Sequence, residues 1–329
     1  MRFETASAEA GPGRSRRSVV PPPTVSVVVA SRNRQDSLRL CLESIRRGGR
    51  APIEIIVVDS ASREPGATAQ VARESGSRFI GTDVPGAGHA RNLGAVSARG
   101  EVVAFTDDDA IVDPDWVQAL TRAFADPSID AVVGPVFVQG TQPPSAMAVS
   151  AAIEPSADRT RFSRVEPDWF DQIRLGSVGY GANLAVRRDA FRRHGLFRDC
   201  LGTGAAIPGD ENYFLLCLIA QGGVVVNEPD AKVTHPPQPT HRLEAFRRST
   251  LAYLLYVLFT QPSLRLQIIG RVVSRLLPAR RQNAAPTLRA SRWPLADVVR
   301  IVVAAPRMLL AAWRIERSLA RAAVMPELP

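Results

Sequence analysis

Three short apolar runs rich in β-branched residues constrain the fold of this 329-residue chain more than any other feature. They cover residues 25–30, 54–58 and 102–105, and each has the length of a buried strand and precedes an amphipathic, helix-like segment. Strands and helices that alternate in this way favour a parallel sheet with helices on both faces. The sequence therefore predicts an α/β fold with a doubly wound, mainly parallel sheet.

Three consecutive carboxylates, Asp107, Asp108 and Asp109, follow the third of these runs. Adjacent acids at the end of a buried strand repel one another, and a cation would compensate their charge. Carboxylate oxygens are ligands that Mg²⁺ and Mn²⁺ prefer, often together with substrate phosphates. In open α/β sheets, ligands also bind at this end of the strands. We therefore predict a divalent metal site. The alternative is a solvated acidic turn before a helix with Asp113 as its N-cap.

The charge of the chain is concentrated in its C-terminal quarter. The formal net charge is +9, and residues 241–329 hold fifteen arginines against four acids. Because the remainder is close to neutral, we expect no nucleic-acid partner. Lys232 is the only lysine, which excludes a Walker-type phosphate loop. A dinucleotide fingerprint at 86–91 is excluded as well, because Arg91 stands where its third glycine belongs. Three widely spaced cysteines favour a reducing compartment.

Four motifs together resemble a family 2 glycosyltransferase. In chain order they are the strand and loop at 25–34, the strand and loop at 55–62, the Gly-Ala-Gly-His-Ala-Arg-Asn-Leu-Gly segment at 86–94, and Thr-Asp-Asp-Asp at 106–109. Their order and spacing are more specific than any one of them. The resemblance covers roughly residues 24–240 and implies the A-type nucleotide-sugar glycosyltransferase fold.

On the first half of this region, residues 24–138, the resemblance implies binding of a nucleoside diphosphate sugar. The loop after the first strand is similar to the family's base- and ribose-binding elements. Asp107 and Asp109 match the two acids of the Asp-x-Asp signature, which hold ribose and a divalent metal, Mn²⁺ or Mg²⁺, on the donor diphosphate. The extra acid, Asp108, leaves open which two of the three act. The residues assigned to the donor in this way are Ala30, Ser31, Asn33, Arg34, Asp59, Arg91, Asn92, Asp107 and Asp108.

The second half, residues 139–240, resembles the acceptor side of the family, with residues 139–165 expected to form a loop. The family's catalytic base is a carboxylate in a Gly-Glu-Asp sequence, whereas this chain has the order Asp210-Glu211. Alignment register favours Glu211 and side-chain identity favours Asp210. We predict Glu211 as the base, because the resemblance places the reacting carboxylate second in the pair, and Asp210 then remains to cap the following helix. His235 matches a family position often occupied by histidine and is a candidate metal ligand with Asp107 and Asp109. An ordinary surface histidine is the alternative.

The two ends of the chain differ from this central region. Residues 1–23 are polar and arginine-rich, end in three prolines, and predict a disordered arm. Residues 241–329 predict a helical extension of interrupted amphipathic helices, and their apolar run at 251–259 is too short to span a bilayer. Such helices suit an anionic membrane surface. Packing against the catalytic domain or a second subunit is an equal alternative. We expect a cytoplasmic protein, at the inner face of the plasma membrane if the extension binds lipid.

Together these features predict a metal-dependent, inverting glycosyltransferase that transfers a sugar to a hydroxyl of a glycan or lipid-linked acceptor, in polysaccharide, glycolipid or cell-envelope glycan synthesis. A sugar nucleotidyltransferase is the alternative enzyme, but it normally has a glycine-rich, lysine-containing loop after the first strand, unlike residues 31–34. A catalytically silent module that binds a nucleotide sugar is a third hypothesis.

Overall fold

The protein is described from a computed structural model. The structure describes residues 21–140, 159–166, 169, 181–202, 207, 209–237 and 253–276, the last six as backbone only, and isolated positions between 303 and 317. Outside these ranges lie nearly all of the predicted N-terminal arm, most of the predicted acceptor loop, residues 238–252 and most of the chain beyond residue 276.

An eight-stranded sheet forms the centre of the fold, and a small second sheet lies beside it. The strands are β1 (Val25–Ser31), β2 (Glu54–Ser60), β3 (Arg78–Thr82), β4 (Val102–Asp107), β5 (Ile111–Val112), β6 (Ala131–Val133), β7 (Val136–Val138), β8 (Thr160–Phe162), β9 (Leu184–Arg187), β10 (Val225–Asn227) and β11 (Val233–His235). The order in the large sheet is β3-β2-β1-β4-β9-β6-β10-β8, and in the small sheet it is β5-β11-β7. Strands β1 to β4 pair in parallel, whereas β9 runs antiparallel to both of its neighbours.

Helices cover both faces of the large sheet. Within the described ranges they are α1 (Gln35–Arg46), α2 (Pro65–Glu74), α3 (Ala87–Ser97), α4 (Trp116–Ala123), α5 (Arg188–His194), α6 (Asp210–Ala220), α7 (residues 253–260) and α8 (Arg265–Leu276). Residues of β1 alternate between two cores: Val28 packs in a cluster that includes Phe214 of α6, and Val27 packs in one that includes Leu42 of α1. The predicted α/β fold with a doubly wound, mainly parallel sheet is confirmed.

One strand predicted over residues 131–138 is divided into two. The break is at Gly134-Pro135, after which β7 joins the small sheet instead of the large one. A Cβ atom on Gly134 would lie 2.0 Å from the carbonyl oxygen of Ala231, so the chain passes a neighbouring backbone where only glycine fits. The apolar run misled the sequence prediction because glycine and proline within it mark a change of sheet.

Two further local predictions were wrong. Helix α4 begins at Trp116, and Asp113 lies in the turn before it, where its Oδ1 accepts a hydrogen bond of 3.1 Å from the Asp115 amide. Asp113 is therefore a turn residue and not the helix N-cap. Strand β8 lies inside the segment predicted as loop, because it pairs antiparallel with β10 at the sheet edge.

The start of the predicted C-terminal extension packs against helix α6 and the core on that side of the large sheet. Leu254, Val257 and Ile268 are buried in the same apolar cluster as Phe214. The Tyr213 hydroxyl donates to Thr260 Oγ1 and accepts from Gln261 Nε2, both at 2.9 Å. The packing alternative therefore holds for residues 253–268, and the boundary at residue 240 does not separate two cores. None of the helices in the described ranges is long and apolar enough to cross a membrane.

We predict that α7 contributes to global stability as a core element does. Leu254 is 1% exposed, so Leu254→Ala should lower the free energy of unfolding by about 2–5 kcal/mol. Leu266 is 86% exposed in the neighbouring helix α8, and Leu266→Ala should change it by no more than about 0.5 kcal/mol. Urea denaturation of both variants measures the difference, and equal small effects would contradict the packing of α7.

Candidate active site

The candidate residues at the ends of the parallel strands lie on one rim of the sheet. Ser31, the last residue of β1, is paired with Asp59 of β2, and Ala30 is paired with Asp107 of β4. Because β1 lies between β2 and β4, the carboxylates of Asp59 and Asp107 flank the loop that follows β1. The sequence placed these residues on a common edge, and the structure brings them together there.

The central acid of the cluster, Asp108, points into the loop after β1. Its carboxylate accepts hydrogen bonds from Ser31 Oγ at 2.8 Å and Arg34 Nη1 at 3.1 Å. Burial raises the pKa of Asp108 to about 6, although the hydrogen bond from Ser31 and the charge of Arg34 oppose this shift. Asp108 thus holds the loop against the sheet. Asp109 contributes to this contact, because Arg34 Nη1 also donates to its Oδ2 at 2.5 Å.

Asp107, Asp109 and His235 form a group that has the composition of a metal site. One ligand atom from each lies within 4.8 Å of the other two. His235 Nε2 is 3.0 Å from Asp109 Oδ1 and 3.8 Å from Asp107 Oδ2. Strand β11 supplies the histidine and β4 supplies Asp107, so two sheets meet at this point.

The hydrogen bond of His235 Nδ1 determines whether Nε2 carries a lone pair or a proton. Nδ1 lies 2.7 Å from the carbonyl oxygen of Pro236 and donates its proton there, so in the neutral ring Nε2 carries a lone pair facing two carboxylates. Among the described residues Asp109 Oδ1 is then buried without a hydrogen-bond donor. Burial lowers the pKa of His235. When the ring is protonated, however, Nε2 can donate to Asp109, and this hydrogen bond and the nearby carboxylates raise the pKa overall. This arrangement requires a proton or a cation, and a histidine that donates its other nitrogen to a carbonyl is typical of metal ligands.

Arg91 of α3 connects the acid cluster to the start of α6. Its Nη2 donates to Asp107 Oδ1 at 3.0 Å and its Nη1 donates to Asp210 Oδ2 at 2.7 Å. The predicted capping role of Asp210 is wrong: the N-cap is Gly209, in a left-handed conformation with φ of 92°, and no side chain caps the helix. Asp210 is instead the buried partner of Arg91.

Of the two acids at this helix start, Glu211 is partly exposed as a residue and Asp210 is buried. Burial of the carboxyl group raises the pKa of Glu211 well above its ordinary range, and the charge of Asp210 raises it further, while Arg91 lowers it. A carboxylate with a raised pKa is a stronger proton acceptor than an ordinary one when it is ionised.

The remaining candidate residues Asp59, Asn33 and Asn92 differ in their hydrogen-bond partners. Asp59 accepts a hydrogen bond from the Ser62 amide through Oδ2, and its buried Oδ1 has no partner in the described part of the chain. Asn33 has a left-handed backbone, with φ of 57°, and its Oδ1 accepts from the Arg63 amide. Asn92 is buried away from the acid cluster, and its side chain bonds to both the amide and the carbonyl of Phe197. This is a structural contact, unlike the donor contact implied for Asn92.

Sequence reasoning missed the loop that Asn92 holds. Asp199 in this loop accepts from Asn92 Nδ2 at 2.7 Å and lies 3.1 Å from His89 Nδ1, so two residues of α3 fix one loop acid. Asn183, directly before β9, also lies outside the predicted set, and its Oδ1 accepts a hydrogen bond from the buried Trp116 Nε1 at 2.9 Å. A lone acid in a loop has no spacing pattern, and no signal in the sequence identified Asp199.

The sequence model of the family described as Glycosyl transferase family 2 matches residues 26–195. The chain belongs to this family. The family 2 chain is 31% identical over 159 residues to the succinoglycan biosynthesis protein ExoM of Rhizobium meliloti, covering 46% of this chain and 45% of that protein. It is 28% identical over 174 residues to the glucosyl-dolichyl phosphate glucuronosyltransferase of Haloferax volcanii, covering 51% of this chain and 53% of that one. The chain therefore spans about half the length of these curated relatives.

Among solved structures, residues 1–349 of S. aureus TarS superpose with a TM-score of 0.55 at 14% identity, covering 79% of this chain and 73% of that chain. This similarity extends to the fold alone. The chain accordingly has the A-type fold that its motifs predicted.

Proposed function

We propose that this glycosyltransferase is metal-dependent and inverting, and that it transfers a sugar from a nucleoside diphosphate donor directly to an acceptor hydroxyl. The observation that carries the proposal is the position of Arg91. A single guanidinium lies between Asp107, in the candidate metal group, and Asp210, next to the candidate base Glu211. A donor diphosphate and an acceptor hydroxyl held at these two places would meet at the rim of the sheet.

The donor side has the groups that a nucleoside diphosphate requires. Asp107, Asp109 and His235 would hold Mn²⁺ or Mg²⁺, which when bound neutralises the charge that develops on the departing diphosphate. The loop from Ser31 to Arg34 would enclose the nucleoside. The buried, unpartnered Asp59 Oδ1 is an acceptor suited to an N–H group of the base.

Glu211 is the general base in this proposal. An inverting displacement needs one carboxylate that removes the proton of the acceptor hydroxyl. Asp210 is bound to Arg91 at 2.7 Å in a buried ion pair, and taking up a proton would break that pair. Glu211 is more accessible, and the N-terminal turn of α6 stabilises its ionised form.

The metal requirement is tested on Asp109. Asp109→Asn removes a charged ligand, and we expect it to abolish the Mn²⁺-dependent part of donor affinity. Calorimetric titration with UDP-, GDP- and dTDP-sugars, with and without Mn²⁺, measures this part. The control is Asp113→Asn, in which the new amide oxygen still accepts the turn hydrogen bond from Asp115. Full transfer activity in excess EDTA would contradict the metal proposal.

The assignment of the base is tested by a pair of neutral variants. Glu211→Gln keeps the shape and removes the proton acceptor, so single-turnover transfer should fall by roughly 10²–10⁴-fold with donor affinity unchanged. Asp210→Asn keeps an oxygen that can accept from Arg91 and should retain substantial transfer. An inactive Asp210→Asn variant beside an active Glu211→Gln variant would reverse the two roles.

For the acceptor, we propose a glycan or a lipid-linked sugar, handled at the inner face of a membrane. One relative is named for acting on glucosyl-dolichyl phosphate, and another for succinoglycan biosynthesis. Two apolar side chains of α8, Leu266 and Ile269, are 86% and 49% exposed beside Arg265. They belong to a region with fifteen arginines and four acids, which suits anionic headgroups.

Vesicle co-sedimentation tests the membrane part. We expect binding to phosphatidylglycerol vesicles at low salt, weaker binding at high salt, and none to phosphatidylcholine vesicles. Replacing Leu266 and Ile269 together by serine should weaken binding, because these side chains supply the apolar contact. Equal partitioning to both vesicle types, or to neither, would refute this part of the proposal.

A further inference from the structure

Arg91 is an unusual arginine for a donor site, because two of its nitrogens are already occupied by protein carboxylates. Nη1 is bound to Asp210 and Nη2 to Asp107, and only 9% of the side chain is exposed. Asp210 is 3% exposed. The guanidinium has further N–H donors, but the small exposed fraction leaves little surface through which a phosphate could reach them.

Backbone from two separate segments closes over this pair at distances that exclude side chains. A Cβ atom on Gly181 would lie 2.2 Å from Arg91 Nη2, and one on Gly202 would lie 2.6 Å from Asp210 Oδ1. Gly202 also has φ of 100°, a conformation that disfavours other residues. The two glycines precede β9 and α6 respectively, so the chain passes closely around the guanidinium and its partner from two directions.

Helix α3 is itself fixed to the loop that leads to α6. Asn92, next to Arg91 in sequence, bonds to the Phe197 backbone and to Asp199, and His89 contacts Asp199 from one turn earlier. The arginine therefore projects from a helix held at several points. Its two carboxylate partners come from different elements, the end of β4 and the start of α6.

The charges around Arg91 explain why such a link is needed. Asp107, Asp210 and Glu211 all act on the guanidinium. The other cations of this rim have different partners: Arg34 contacts Asp108 and Asp109, and His235 faces Asp109 and Asp107. Among the described contacts, neither of them reaches Asp210. Without Arg91, Asp210 would be a buried carboxylate beside Glu211 with no cation to compensate it. The two acids would then repel, and the start of α6 would move or one acid would take up a proton.

We propose that Arg91 is a positioning residue, which holds Asp210 and thereby fixes Glu211 opposite the Asp107 end of the donor site, and that it does not itself contact the donor. The proposal rests on the proposed function, since it assigns a partner to the base of that reaction. It also replaces the donor contact that sequence similarity implied for Arg91.

The test is a split between turnover and donor binding. Arg91→Met keeps the length of the side chain and removes both ion pairs, so kcat should fall by about 10²-fold through misplacement of Glu211, with a much smaller change in donor KM. Arg91→Lys keeps the charge but lacks the planar fork that spans two carboxylates, and kcat should fall to an intermediate value. Donor affinity measured by calorimetry in Mn²⁺ should be retained in both variants.

Arg34→Met is the matched control. Arg34 contacts Asp108 and Asp109 in the same cluster but is 49% exposed at the rim and has no contact with α6 among the described residues. This variant should raise donor KM with kcat largely kept, the opposite split. If Arg91→Met gives the Arg34 pattern, Arg91 contacts the donor and the proposal is overturned.

The double variant Arg91→Met/Asp210→Asn identifies the residue through which Arg91 acts. It removes both charges of the buried pair, so it should fold even if Arg91→Met alone does not. If Arg91 acts through Asp210, the kcat of the double variant is no lower than that of Arg91→Met. If Arg91→Met does not fold, Arg91→Lys takes its place in this comparison. The proposal is overturned if the kcat losses of the Arg91 and Asp210 substitutions multiply in the double variant, or if every Arg91 variant keeps full kcat. In either case, transfer by the wild-type protein still supports the proposed function. Absence of transfer by wild-type protein with every donor would overturn both.

Discussion

The rim of this protein depends on the compensation of negative charge. Three consecutive acids lie at the end of β4, the first of them still in the strand, and two more begin α6 at the same rim. At contact distances like charges repel strongly where water is excluded, so a fold can gather such acids only if it supplies cations at matching positions. In the part of the chain described, Arg34, Arg91 and His235 do this, each from a different element.

The cations give the three acids after the β4 run different partners. Arg34 and Ser31 draw Asp108 into the loop after β1, and the position of that loop then depends on the acid cluster. His235 closes the opposite side, where Asp107 and Asp109 are left with oxygens that face the imidazole. Asp109 is shared between the two sides, because its Oδ2 accepts from Arg34 and its Oδ1 faces His235. Three identical residues thus have different partners, because Asp107 ends β4 whereas Asp108 and Asp109 lie in the turn after it.

The sequence predicted the sheet and the common rim because both depend on local patterns. Apolar β-branched runs specify buried strands, and parallel pairing places their carboxyl ends together. The predicted capping role of Asp113 was wrong because a turn before a helix uses the same residue types as a helix cap. The prediction of one undivided strand over 131–138 was wrong because the close approach of Gly134 to Ala231 involves residues about a hundred positions apart. The contacts of Arg91 could not be predicted for the same reason. Asp107 lies 16 positions away in the sequence, but Asp210 lies 119 positions away.

The order of the two acids at α6 can be understood from the same contacts. The first acid of the helix, Asp210, lies against Arg91 and beneath Gly202, where a short side chain fits and a longer one would meet backbone. The second, Glu211, follows about 100° further around the helix, and as a residue it is partly exposed where Asp210 is buried. Aspartate first and glutamate second is therefore the order expected if the first acid serves the ion pair and the second serves the acceptor. The inverted order, relative to the Gly-Glu-Asp of similar sequences, keeps an acid at each position and changes only how far each one extends.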